Sequence, residues 1–141
     1  MDTGRGTSTM NVALWIVQGL LAAVFLLAGG AKLVLPLDQM TGPVALPGWF
    51  LRFIGLAEVL GALGLVLPGL LRIRTGLTSL AAAGLVIIMI GATVVMWSSG
   101  MVAVAMMNVV VALLAAFVAY GRWRLAPYRD SSRPSVLQPA R

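Results

Sequence analysis

The sequence contains no cysteine and no histidine. Without cysteine, disulfides, thiol exchange and thiolate metal ligands are excluded. Without histidine, Ser-His and Cys-His nucleophile pairs and a histidine-ligated haem are excluded as well. These absences remove the most common catalytic and metal centres, so we expect no catalytic set, no metal site and no intrinsic cofactor.

Charged residues are also scarce. Only 10% of the 141 residues are charged and 60% are hydrophobic, whereas ordinary soluble domains have about 25% and 45–50%. Four apolar segments are long enough to cross a bilayer, which takes about 20 residues each. They cover about residues 11–35, 50–71, 75–97 and 101–120. The sequence therefore predicts an all-α integral membrane four-helix bundle over residues 11–120.

The two ends of the chain are polar. Residues 1–10 are rich in Gly and Thr, which predicts a short disordered lead on the cytoplasmic side. Residues 121–141 hold five of the ten basic residues and form a predicted basic cytoplasmic tail. A signal peptide is the alternative interpretation of the first span, since Arg5 precedes it. That span exceeds the usual h-region, and three further spans follow.

The orientation follows from the placement of Lys and Arg, because cytoplasmic loops retain them. The C-terminal tail and the Arg72-Ile73-Arg74 turn are basic, and the turn at 98–100 has no charge. We therefore predict a multi-pass protein of the cytoplasmic (inner, plasma) membrane with both termini cytoplasmic (N-in/C-in). The positions of the tryptophans agree with this orientation, because tryptophan is enriched at both membrane–water interfaces. Trp15 and Trp123 fall at the predicted inner interface, and Trp49 and Trp97 fall at the outer one. The net charge of +6 then indicates topology and anionic lipid, and we expect no nucleic-acid binding.

Small residues recur along each span at helical spacing. Because helices in lipid pack through small residues, such stripes predict the faces that meet in the bundle. The predicted stripes are Gly19, Ala22, Ala23, Leu26 and Gly30 in span 1; Gly55, Glu58, Ala62 and Gly69 in span 2; Gly76, Ala83, Ile87 and Gly91 in span 3; and Asn108, Ala112, Ala115 and Ala119 in span 4.

Five polar residues fall in the outer half of the predicted bilayer: Lys32, Arg52, Glu58, Thr93 and Asn108. At about 1.5 Å per residue, Glu58 lies roughly 12 Å and Asn108 roughly 10 Å from the outer ends of their spans. Both residues share their stripes with small residues, so we expect both to point into the bundle. The five residues form the predicted ligand-binding site.

An ionised carboxylate at this depth costs at least about 2–3 kcal/mol, so Glu58 should be protonated or paired with Lys32 or Arg52. One interpretation is a structural ion pair that fixes helix register. Another is a polar pocket beneath the proline-rich 36–49 loop, where Glu58 accepts a hydrogen bond or proton and Asn108 orients the ligand. The third is snorkelling of Lys32 or Arg52 alone to lipid headgroups.

Two segments resemble motifs of a known family. Span 1 ends in Phe25-Leu-Leu-Ala-Gly-Gly-Ala-Lys32-Leu33, and span 2 contains Arg52-Phe-Ile-Gly55-Leu-Ala-Glu58-Val-Leu-Gly61. Both segments resemble motifs of the DoxX-like family of small four-helix bacterial membrane proteins. The first is similar to that family's run of small residues ending in Lys-Leu, and the second is similar to its Gly-x-x-Glu motif. The resemblance covers about residues 11–120.

The resemblance implies that Lys32 and Glu58 occupy family motif positions, while Asn108 stands where relatives vary among polar residues. Relatives are partly linked to quinone-coupled oxidation of thiosulfate or to membrane oxidoreductase assemblies, which makes a quinone the one cofactor to consider. The resemblance implies a fold more firmly than a reaction.

Three functions follow as hypotheses. The first is an accessory or scaffold subunit of a membrane, redox-linked assembly, which binds lipids and a membrane protein partner or a second copy. The second is a binder or transporter of a lipophilic or quinone-like molecule in the outward-facing polar pocket. The third is a quinone-coupled oxidoreductase subunit, which needs an external electron carrier because Glu58 can move only a proton.

Overall fold

The computed structural model describes residues 3–40, 42, 44–74 and 76–125. The long helices are α1 (Thr3–Val34), α2 (Gly48–Leu71), α3 (Gly76–Ser98) and α4 (Val102–Tyr120). A 3₁₀ turn, Leu37–Met40, follows α1, and a π-helical turn, Gly121–Leu125, extends α4. The described residues contain no strand, and all four helices are long and apolar enough to cross a membrane. The all-α prediction of four membrane-spanning helices is confirmed.

The structure differs from the sequence prediction at both ends. Helix α1 begins at Thr3, so residues 3–10 are helical and not the disordered lead that the sequence predicts. Once the apolar span is helical, each preceding residue joins without a new nucleation step, which favours this extension.

At the other end Gly121 donates its backbone N–H to the Phe117 and Val118 carbonyls. The predicted tail beyond residue 125 lies outside the described residues.

The four helices form an antiparallel ring. Helix α1 packs on α2, α2 on α3, α3 on α4, and α4 returns to α1, whereas the diagonal pairs make few contacts. Helix α2 ends at Leu71, and its C-cap Arg72 has a left-handed φ of 53°. The backbone N–H groups of Arg72 and Ile73 both donate to the Pro68 carbonyl. Gly100, with φ of 76°, provides the second tight turn, where glycine has no Cβ penalty.

The core lies at the centre of the ring and consists mainly of large apolar side chains. Its fully buried members include Phe25, Leu14, Leu65, Leu85 and Val118. On α1 the buried positions are Leu14, Gln18, Leu21, Ala22, Phe25 and Gly29. These positions repeat every three to four residues, as one face of a helix requires.

The predicted stripes agree with this core on two helices only. On α2, Gly55, Glu58 and Ala62 are buried. On α4, Ala115 is buried and the other three members of the stripe are half-buried. The stripes of α1 and α3 are wrong, because most of their members face outward. Helices in lipid are apolar all round, so the spacing of small residues does not by itself identify the inner face.

Candidate functional site

Helices α1 and α2 approach closely where Gly29 faces Gly55. A Cβ added at Gly29 would lie 2.7 Å from the carbonyl oxygen of Gly55, and one added at Gly55 would lie 2.9 Å from that of Gly29. Real Cβ atoms do not approach this closely, so the crossing requires glycine on both helices. Lys32 and Glu58 each follow one of these glycines by three residues. Because the two helices are antiparallel, Lys32 packs against Gly55 and Glu58 packs against Gly29, and the long Lys32 side chain spans the distance to the carboxylate.

Lys32 and Glu58 form an ion pair between the two helices. The Lys32 Nζ lies 2.8 Å from Oε2 of Glu58 and also donates to the Ala28 carbonyl at 3.5 Å. The Glu58 side chain is 4% exposed, whereas that of Lys32 is 29% exposed. The carboxylate is therefore enclosed by the bundle, and its partner keeps some access to the surroundings.

Arg52 lies near this pair but does not bind the carboxylate. Its Nη1 donates to the Lys32 carbonyl at 2.7 Å, and its Nη2 donates to the Leu35 carbonyl at 2.9 Å. The last carbonyls of a helix lack intrahelical donors and carry the negative end of the helix dipole. Arg52 thus caps the C-terminus of α1. Of the two pairings that the sequence leaves open for Glu58, the structure contains the one with Lys32.

Thr93 and Asn108 stand apart from these three residues. The Thr93 hydroxyl donates within its own helix to the Met89 carbonyl at 2.7 Å. Asn108 is half-buried on α4. Within the described part of the chain, no hydrogen bond joins either residue to Lys32, Arg52 or Glu58. The structure thus brings together three of the five predicted site residues.

A cavity of about 220 Å³ lies beneath the loop between α1 and α2. Its lining is mainly apolar and includes Leu37, Met40, Leu46 and Leu51. None of the five predicted site residues lines it. The space under the proline-rich loop therefore differs from the polar pocket that the sequence suggests.

Comparison with known proteins identifies the family. The model of the DoxX-like family matches residues 16–118, well over half of the chain. The chain belongs to the DoxX-like family. No curated protein and no solved structure matches it. The matched DoxX-like region includes the Gly29–Gly55 crossing and the Lys32–Glu58 pair.

A second polar cluster lies partly outside the matched DoxX-like region. The Arg122 Nε donates to the Gln18 side-chain oxygen and its Nη1 donates to that of Asn11, both at 2.6 Å. The Gln18 amide nitrogen donates to the Leu65 carbonyl at 2.5 Å. The Arg122 guanidinium carbon also lies 5.4 Å from the Trp15 ring centroid, within cation–π distance. The cluster links α1, α2 and the end of α4.

Sequence reasoning missed this cluster. The polar Gln18 within the first apolar span was an available signal, because a buried amide in a membrane needs hydrogen-bond partners. The burial of Arg122, which is 2% exposed, had no such signal. A basic residue directly after a span is typical of a cytoplasmic flank. Arg122 belongs to the bundle, not to the predicted tail.

Proposed function

We propose that this DoxX-like protein is an accessory or scaffold subunit of a membrane assembly. The observation that supports this proposal is that the charged side chains of the site bind groups of the bundle itself. Lys32 and Glu58 neutralise each other at the α1–α2 crossing, and the Arg52 guanidinium caps α1. An arrangement of this kind fixes helix register, and it presents a rigid body to a partner.

The proposed partner is a second membrane protein, with redox-linked assemblies as the first candidates, or another copy of this chain. The outer surface of the bundle supports this choice, since it exposes large apolar side chains on every helix. Such a surface suits both lipid and a protein partner within the bilayer. The DoxX-like protein would contribute position and stability to the assembly, and its partner would contribute the reaction.

The proposed location is the cytoplasmic membrane with both termini on the cytoplasmic side. Asn11, in the N-terminal third of α1, accepts a hydrogen bond from Arg122 of the Gly121–Leu125 turn, so the two ends of the described chain lie at one end of the bundle. The basic turn of Arg72 and Arg74 lies at this end too, while the opposite turn at Ser99 and Gly100 is uncharged. Basic residues favour the cytoplasmic side.

The absence of cysteine makes this orientation easy to test. Single cysteines replacing Ser99 or Arg74 would be treated in whole cells with a membrane-impermeant maleimide. The proposal expects labelling of Ser99→Cys in intact cells and of Arg74→Cys only after permeabilisation. The reverse pattern would contradict the proposed orientation.

The test of the scaffold function is native mass spectrometry of gently extracted protein beside its Glu58→Gln variant. A protein partner retained at stoichiometric yield by the wild type, and by any folded form of the variant, supports the scaffold. A monodisperse protein with no partner and no second copy contradicts it. Circular dichroism on the same samples separates loss of binding from loss of fold.

A second candidate function is binding or transport of a lipophilic or quinone-like molecule. The observation that favours it is the partial exposure of Lys32, since an ammonium at the edge of the bundle can donate to a ligand carbonyl. Asn108 and Thr93 would then contribute from the neighbouring helices. A small molecule retained by the wild type and lost from a folded Glu58→Gln variant supports this function.

A quinone-coupled oxidoreductase subunit is the redox form of the second candidate. Quinone would be bound near Lys32 and Glu58, where the carboxylate can exchange a proton, and a partner would supply the electrons. Quinone reduction by the complete assembly that disappears in Glu58→Gln, with the complex still intact, supports this version.

A further inference from the structure

A long apolar groove runs between α2 and α3 on the outer surface of the bundle. Its volume is about 570 Å³, and its walls include Leu67, Leu77 and Leu80. Gly64 and Gly84 are among its lining residues, and at Gly84 the absence of a side chain leaves open space. The groove faces the environment of the bundle, so within a membrane its occupant is apolar.

The groove is long enough for the acyl chain of one lipid leaflet. It extends along α2 from Ala57 to Leu71, a distance of about 21 Å at the helical rise. One leaflet contributes about 15 Å of hydrocarbon. An extended acyl chain therefore fits along the groove from its terminal methyl to its carbonyl end.

A single acyl chain is apolar and extended, and the walls of the groove are apolar along its length.

Positive charge marks one end of the groove. Leu71 and Ile73 line this end. The exposed Arg72 and Arg74 are their neighbours in the chain and lie beside the groove without lining it. Both arginines adopt positive φ values, 53° and 33°, a region that favours glycine. The turn thus places two cations beside the groove where glycine would be the easier choice.

We propose that the α2–α3 groove is a binding site for one anionic phospholipid. One acyl chain lies against Gly64 and Gly84, and the phosphate lies at Arg72 and Arg74. The apolar groove matches the acyl chain of such a lipid, and the two arginines match its anionic headgroup. Basic residues at a membrane surface attract anionic headgroups. This site is independent of the scaffold function and of the Lys32–Glu58 pair.

The structure provides matched variants for a test of the acyl-chain position. A Cβ added at Gly84 or at Gly91 meets no neighbouring atom within 4 Å, so a side chain can leave the backbone at both positions without a clash. Gly84 lines the groove and Gly91 does not. Gly84→Leu should fill the groove and expel the chain, while Gly91→Leu adds the same bulk to the same helix elsewhere.

The headgroup position has matched variants too. Replacing both Arg72 and Arg74 with glycine removes the charges and suits the left-handed turn. Arg124→Gln removes an exposed charge at the same end of the bundle, outside the residues that line the groove. A general effect of surface charge would appear in both.

The experiment is native mass spectrometry of protein released from nanodiscs that contain phosphatidylglycerol and phosphatidylcholine in equal amounts. The wild type should retain one phosphatidylglycerol in preference to phosphatidylcholine. Retention should fall at least tenfold in the double glycine variant and in Gly84→Leu, and should stay at the wild-type level in Arg124→Gln and Gly91→Leu. Circular dichroism melts would establish that each variant is folded.

Three results would overturn the proposal. Equal retention of the two lipids by the wild type would remove its selectivity. Equal losses in Arg124→Gln and in the double glycine variant would assign the effect to general surface charge. Unchanged lipid retention in folded Gly84→Leu, together with loss of a co-purifying protein, would assign the groove to a protein partner.

Discussion

The guanidinium of Arg122 donates a 2.6 Å hydrogen bond to the side-chain oxygen of Gln18, a residue 104 positions earlier in the chain. This bond connects the end of α4 to α1 at the interface that closes the ring. That interface is the least extensive of the four between neighbouring helices. A directional contact at this place fixes the register of the first and last helices, where apolar packing alone contributes least.

Replacing Arg122 with Met should therefore destabilise the bundle. The change removes the donor to Gln18 and the donor to Asn11, and leaves a buried amide oxygen without that partner. The expected loss is about 2 kcal/mol, since hydrogen bonds from charged groups contribute about 1.5–3 kcal/mol. Unfolding by SDS titration in mixed micelles would measure it. Arg124→Gln, at an exposed neighbour, is the control and should change stability little.

The Lys32–Glu58 pair should respond unequally to removal of each partner. Lys32→Met leaves the enclosed Glu58 carboxylate without its counter-charge and should cost about 3 kcal/mol. Glu58→Gln leaves an ammonium that is 29% exposed and can turn toward water, so its cost should be smaller. SDS titration of both variants would measure the difference.

The double variant Lys32→Met with Glu58→Gln completes the cycle. It should recover most of the loss caused by Lys32→Met, because no buried charge remains. A loss of stability in the double variant equal to the sum of the two single losses would show that the pair is not energetically coupled.

Adjacent glycines of α1 should give changes of opposite sign. Gly29→Ala sets a Cβ 2.7 Å from the Gly55 carbonyl oxygen, so α1 and α2 must separate, at an expected cost of about 2 kcal/mol. Gly30→Ala meets no atom within 4 Å and should gain about 0.5–1 kcal/mol from better helix propensity. Thermal unfolding in detergent would compare them. A larger loss from Gly30→Ala would contradict the observed rotation of α1.

Removing the hydroxyl of Thr78 should stabilise the folded protein. Its side chain is fully buried, and among the described residues its Oγ1 has no hydrogen-bond partner. Thr78→Val replaces the hydroxyl by a methyl group of similar size and should raise stability by about 1 kcal/mol. Thr93→Val is the matched control, because its hydroxyl donates to the Met89 carbonyl. A melting temperature that rises for Thr93→Val but not for Thr78→Val would refute this expectation.

Part of the candidate site could be predicted from the sequence. A glutamate within an apolar span is stable only when it is protonated or paired with a basic residue. The sequence therefore left three states for the Glu58 carboxylate: an ion pair with Lys32, an ion pair with Arg52, or protonation. The choice between Lys32 and Arg52 depended on the Gly29–Gly55 approach and on the free carbonyls at the end of α1. The close approach and the capping of these carbonyls both depend on how α1 and α2 pack together. The sequence of one helix does not predict either of them.

The sequence by itself determined that this protein has four apolar helices with two charged motifs of the DoxX-like family. It could do so because the bilayer is the solvent, and crossing it depends on length and composition alone. Tertiary structure decided which face of α1 and α3 turns inward, that Arg122 is buried, and where the α2–α3 groove opens. The physical reason is that lipid is as apolar as the core, so hydropathy does not distinguish inside from outside, and only the fit of one helix against another does.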